Sequence, residues 1–105
     1  MKIDAIVLSE KDNVATSLRD LESGDNALVG SLERTQTFPI REKIPYGHKF
    51  AFKDIPKGEE VLKYGEVIGR STCDIPSGKH VHVHNVESLR GRGDLKNVSV
   101  QDKPT

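Results

Sequence analysis

The stretch Asp54-Ile55-Pro56-Lys57-Gly58-Glu59-Glu60-Val61 is answered, twenty residues on, by Asp74-Ile75-Pro76-Ser77-Gly78-Lys79-His80-Val81. Both read D-I-P-x-G-x-x-V. The isoleucine ahead of each proline is pushed toward an extended backbone, because the proline ring crowds the residue before it. Proline presets φ for the first corner of a β-turn, glycine supplies the positive-φ position, and the valine opens a strand. Two copies at this spacing are too few and too close for a solenoid, which stacks three or more units. The repeat predicts a pair of related turn-strand corners inside one small β domain.

The flanking segments carry the same punctuation. Ile3 with Ala5–Leu8, Ala27-Leu28-Val29 and Thr35-Gln36-Thr37-Phe38 are short β-prone runs bounded by Gly, Pro and Asp. One segment reads differently. Val14, Leu18 and Leu21 fall at i, i+4 and i+7, a single helical face, with Asp12 or Asn13 placed to cap it and Gly24 to stop it. The expectation is a mostly β domain over residues 1–90 with one short helix near the N-terminus. Residues 91–105, entered through Gly91-Arg92-Gly93-Asp94, are expected to form a flexible C-terminal segment.

At 105 residues the chain holds a single core. Its apolar stock is modest, 34% with no Trp, so that core is thin and a partner surface is welcome. Lys plus Arg equals Asp plus Glu, sixteen each, which argues against nucleic acid as a partner. The densest basic spot, Arg90 and Arg92, is flanked by Glu87 and Asp94. Cys73 is the only cysteine, excluding an internal disulfide, and reads as a small buried residue. Asp4 stands where a signal peptide would be apolar, and Ala5–Leu8 is far too short for a membrane segment. These features point to a cytoplasmic protein that engages no membrane.

All four histidines sit in two places, Tyr46-Gly47-His48-Lys49 and His80-Val81-His82-Val83-His84-Asn85. On an extended strand, side chains alternate, so His80, His82 and His84 share one face about 6.5–7 Å apart while Val81 and Val83 turn to the core. Such a row can ligate a divalent ion, bind a carboxylate, shuttle protons or simply tolerate solvent. Gly47 lets a ligand approach the backbone near His48, and Lys49 offers an anion contact. Arg90 and Arg92 suit bidentate contacts to carboxylates. No phosphate loop, dinucleotide fingerprint or recognisable nucleophile is present, so complete catalysis by this chain alone is hard to build.

The ordered set Tyr46-Gly47-His48-Lys49-Phe50-Ala51, Asp54-Ile55-Pro56-x-Gly58-Glu59, Lys63-Tyr64-Gly65-Glu66-Val67-Ile68-Gly69 and His82-Val83-His84-Asn85 closely resembles the SAF-type domain of the altronate/galactarate dehydratase family. That domain also occurs as the small subunit of sulfolactate sulfo-lyase. The likeness covers about residues 10 to 95, and the ending Glu87–Asp94 is more similar to the separate small subunits than to the fused enzymes. The resemblance implies a SAF/β-clip-like fold and a lyase that removes water or sulfite from a hydroxy acid after abstracting the proton beside its carboxylate. It implies a divalent metal, iron or manganese, held mainly by a large catalytic partner subunit; homo-oligomers remain possible. Position by position, His48, His82 and His84 are implied as catalytic, with His82 and His84 as metal ligands. Lys49, Asn85, Arg90 and Arg92 are implied as substrate contacts. His80 precedes the family motif and is not carried over. A sugar-acid-binding module without catalysis and a metal-handling accessory protein stand as alternatives from other classes.

Overall fold

In the computed structural model, which describes residues 2–32 and 34–88, both D-I-P-x-G-x-x-V units are turns. Each is closed by one backbone bond, Glu59 N–H to Pro56 O (3.1 Å) and Lys79 N–H to Pro76 O (3.2 Å), with Gly58 and Gly78 at φ of 87° and 85°. Positive φ at the third turn residue is the type II signature. Proline therefore stands one place ahead of the corner expected for it, as the first turn residue. The two units face each other: Ile55 and Ile75 exchange backbone bonds of 2.9 and 2.8 Å. Each aspartate accepts from the opposite unit, Asp74 Oδ1 from Lys57 N–H (2.8 Å) and Asp54 Oδ1 from Ser77 N–H (2.9 Å).

Two further copies of this turn are present, hidden by substitutions in the letters. Asp20-Leu21-Glu22-Ser23-Gly24-Asp25-Asn26-Ala27 lacks the proline, and Lys43-Ile44-Pro45-Tyr46-Gly47-His48-Lys49-Phe50 lacks the aspartate. Leu21 and Ile44 exchange backbone bonds as Ile55 and Ile75 do, and Asp20 Oδ1 accepts from Tyr46 N–H (2.8 Å). All four turns are clamped alike. The glycine N–H donates to one clamping residue, whose own N–H donates to the carbonyl following the glycine. The clamping residues are Ile40, Ser17, Ser71 and Ala51 for the turns at Gly24, Gly47, Gly58 and Gly78. The closing residues Ala27, Phe50, Val61 and Val81 are all fully buried.

Among the described residues, nine strands connect these corners: β1 (Ala5–Ile6), β2 (Val14–Ser17), β3 (Asn26–Gly30), β4 (Thr35–Pro39), β5 (Lys49–Ala51), β6 (Glu60–Lys63), β7 (Glu66–Ser71), β8 (His80–Val81) and β9 (Val86–Ser88). Six form one sheet in the order β4-β3-β1-β2-β5-β8, parallel only between β1 and β3, and three form a second, β6-β7-β9. The mostly β expectation holds. No helix occurs among the described residues, and thus none long and apolar enough to cross a membrane.

The expected N-terminal helix is instead β2. Strand alternation assigns its residues to two cores. Ala15, paired with Phe50, enters one cluster with Ala5, Leu21, Val29 and Ile44; Val14, paired with Ala51, enters another with Ile55, Val61, Ile75 and Val81. Both faces of the strand are buried, so no polar alternation marks it. Leu18, expected on the helical face, is 44% exposed. Asp12 and Asn13 do not cap a helix but fasten the second sheet to the first. Asp12 Oδ1 accepts from Gly65 N–H, Asn13 Oδ1 from Leu62 N–H (both 2.8 Å), and Asn13 Nδ2 donates to Glu60 O (2.8 Å). Cys73, read as buried, is exposed in the link after β7.

Candidate functional site

The site is a cluster of imidazoles at the edge strand β8. Lys49 pairs with Val81 and Phe50 with His80, so His48, one residue before β5, stands across from His82. His48 directly follows Gly47 in its turn, and buried Ser17 fixes that turn further. The Ser17 hydroxyl is shared between Pro45 O (2.7 Å) and His48 O (3.0 Å). On the other side, Glu42 Oε1 accepts from His80 N–H (2.9 Å).

Beyond Val81 the chain leaves the strand. Residues 82–85 form a turn closed by Asn85 N–H to His82 O (3.1 Å). Val83, expected to face the core, is 81% exposed at its tip, while Val81 is fully buried as expected. The buried Asn85 amide holds the turn from within: Oδ1 accepts from His82 N–H and Nδ2 donates to His80 O, both at 2.9 Å. The histidines therefore gather through a turn, not through strand alternation.

His48 Nδ1 and His80 Nε2 face each other at 2.9 Å, with ring planes 18° apart. That is a hydrogen bond in which one nitrogen carries the proton and the other a lone pair. His82 lies face to face with His48, centroids 4.0 Å apart and planes 17° apart, and is nearly parallel to His80 (9°). His84 is exposed, its ring 5.2 Å from that of His80. Burial lowers the His80 pKa below the ordinary 6.5, and His84, His48 and His82 push the same way, against Glu42. His82 is lowered by burial first, then by His48, Lys49 and His84. Both are therefore neutral at pH 7.

Among the described residues, the nitrogens of His48, His80 and His82 all approach within 4.8 Å of one another. They are close enough for one ion, but imidazole lone pairs lie in the ring plane. The stacked planes of His48 and His82 run side by side and share no point for an ion unless one ring turns. Lys49, paired with Val81, is half-buried, and its charge reaches His82, whose pKa it helps to lower. Burial lowers the Lys49 pKa, and Lys63 adds to the effect. Arg90, Arg92 and the 91–105 segment lie outside the described residues. Sequence reasoning passed over Ser17 and Glu42, and it set His80 in the histidine row without giving it a site role. His80 alone left a signal, its spacing from His82.

A family model described as the altronate/galactarate dehydratase SAF domain matches residues 3–89. The chain belongs to that family. Among its SAF-domain relatives, altronate dehydratase of Escherichia coli is 46% identical over 77 residues, covering 73% of this chain but 15% of that enzyme. Altronate dehydratase of Bacillus subtilis is 35% identical, with 16% of its length matched. The (2R)-sulfolactate sulfo-lyase subunit alpha of Chromohalobacter salexigens is 38% identical over 93 residues, covering 86% of this chain and 99% of that subunit. The chain thus spans about a seventh of the dehydratases it matches and nearly the full length of the sulfo-lyase subunit.

Proposed function

We propose that this chain is the small subunit of a hydro-lyase of the altronate/galactarate dehydratase type, working with a separate large catalytic subunit on a sugar acid or related hydroxy acid. The match to sulfo-lyase subunit alpha over 99% of that subunit carries the reading. The site supports it. The imidazoles gather at an edge strand, and two cavities among the described residues are lined by other residues, such as Val7, Phe52 and Lys53 in one and Arg41, Asp54 and Asp74 in the other. On this reading the large subunit supplies the remaining walls of the site.

In such an elimination the proton beside the carboxylate passes to a base, its electron pair forms the double bond, and the leaving hydroxyl departs as water once protonated. A neutral imidazole suits both transfers, since the proton it takes from carbon is the one it gives to the leaving oxygen. His48 fills that role, with His82 and His84 beside it. The implied divalent ion, iron or manganese, does not fit the stacked rings of this chain and is assigned to the large subunit. Lys49, Arg90 and Arg92 remain the candidates for the substrate carboxylate, whereas the Asn85 amide is already engaged with backbone.

The test is co-purification from the native host, with assay of the recovered complex on altronate, galactarate and sulfolactate. A large subunit should co-purify and the complex should turn over one of the three. His48→Ala should lower that rate about a hundredfold or more. Binding of a sugar acid by the chain alone, with no partner and no elimination, would instead establish the non-catalytic module.

A further inference from the structure

We infer that His80 is a positioning residue that holds His48 as its Nδ1–H tautomer, leaving His48 Nε2 bare as the proton acceptor. The observation is the 2.9 Å approach of His48 Nδ1 to His80 Nε2 between rings only 18° from coplanar orientation. A neutral imidazole protonates one nitrogen and keeps a lone pair on the other, so the partner of one nitrogen decides the chemistry of its opposite. If His48 donates through Nδ1, its Nε2 is a base. If His80 donates, His48 Nε2 carries the hydrogen and cannot accept one.

Two features hold the pair in place, and a third favours the first arrangement. The His80 ring is fixed from its own backbone, whose N–H is tied to Glu42 Oε1 and whose carbonyl is tied to Asn85 Nδ2. His82, stacked at 4.0 Å on the face of His48, blocks rotation of the His48 ring out of the bonded plane. When Nε2 of His48 takes a proton, Nδ1–H becomes the donor of an imidazolium. The bond to the His80 lone pair is then charge-assisted and strengthens as charge develops. In the reverse arrangement His48 Nε2 already carries its hydrogen, so it takes no proton and no such charge develops on the ring. Nothing is consumed: the proton gained at Nε2 returns to the leaving group, and the Nδ1 proton stays in the bond.

The inference rests on His48 acting in the proposed lyase site, so its test has two arms. The first needs neither substrate nor partner: long-range proton–nitrogen NMR of the full chain, freed of metal with chelator. His48 should show a protonated Nδ1 and an unprotonated Nε2, with His80 Nε2 unprotonated. In His80→Leu the His48 tautomer should shift toward Nε2–H, and in His80→Gln, whose side-chain oxygen can accept from Nδ1–H, it should be retained. A His48 protonated at Nε2 in the wild-type chain overturns the inference without any variant, so a misfolded variant cannot shelter it. Cobalt(II) binding that bleaches the resonances of all three rings together and gives a tetrahedral visible spectrum would also overturn it, in favour of an ion site.

The second arm assays the complex on altronate, galactarate and sulfolactate. His80→Leu should lower kcat about a hundredfold with KM changed far less, and His80→Gln should restore most of it. Equal loss in both variants, or a change in KM alone, would reject a positioning role. If no complex turns over any of the three acids, the lyase reading fails while the tautomer result still stands or falls on its own.

Discussion

Asn85 shows how much of this site is decided by a single amide. It is buried, and its oxygen and nitrogen satisfy the His82 N–H and the His80 carbonyl at 2.9 Å each, so the turn that presents His82 and His84 is built around it. Asn85→Ala should cost about 1–3 kcal/mol, the penalty for two buried backbone groups left without partners, read as a lower urea midpoint at unchanged slope. Asn85→Asp retains the acceptor and loses the donor, and should fall between the two. The imidazoles set a second residue-scale effect. His80 and His82 have folded-state values below the ordinary 6.5, held down first by burial, then by His84, His48 and His82 at His80, where Glu42 opposes, and by His48, Lys49 and His84 at His82. The unfolded chain therefore takes up protons first on acidification. Stability from the neutral rings is present above about pH 6.5 and lost as pH falls through the lowered values. Melting of the metal-free chain should weaken as pH falls below about 6.5, and His80→Gln/His82→Gln should flatten that limb. An identical slope in the double variant would show that other groups set it.

At the scale of elements, β8 and the turn after it separate two neighbouring valines. Val81→Asp places an unpaired charge in the second core and should cost several kcal/mol, enough to abolish a cooperative melt. Val83→Asp, at a position 81% exposed, should move stability by no more than about 0.5 kcal/mol. Equal damage from both would restore the continuous strand. Gly78→Ala should also be costly. Its φ is 85°, and an added Cβ would lie 2.7 Å from the Pro39 carbonyl. These elements also show what could be read in advance. The D-I-P-x-G-x-x-V pair was legible because proline, glycine and aspartate each perform a local task that survives into the fold. The turns at Gly24 and Gly47 do the same work, but one lacks proline and the other aspartate, so letters alone did not reveal them. β2 was misread because a strand buried on both faces has no period of two. The chance spacing of Val14, Leu18 and Leu21 then imitated a helix. The histidine cluster was foreseen, but its geometry was not, because the Asn85 amide bends the chain after Val81.

The whole molecule is held together by the strands that two cores share. β2 sends Ala15 to one cluster and Val14 to the other, and β5 sends Phe50 and Ala51 likewise. Asp12 and Asn13 tie the second sheet to the same region. Neither cluster can loosen without disturbing the strands that support the other, so the described domain should unfold as one unit. The matched test is Leu21→Ala in the first cluster against Ile55→Ala in the second, both fully or nearly fully buried. Each should cost about 2–5 kcal/mol and lower a single Tm that is the same by far-UV dichroism and by tyrosine fluorescence. A biphasic melt, or a variant that shifts one probe and not the other, would mean two separately stable halves. The distinction reaches the site, because His48 precedes β5 and His80 lies in the strand paired with it. In a cooperative domain either substitution should broaden the His48 and His80 resonances at the same temperature. With independent halves, only the Ile55 variant would disturb His80 and Val81 while His48 kept its place.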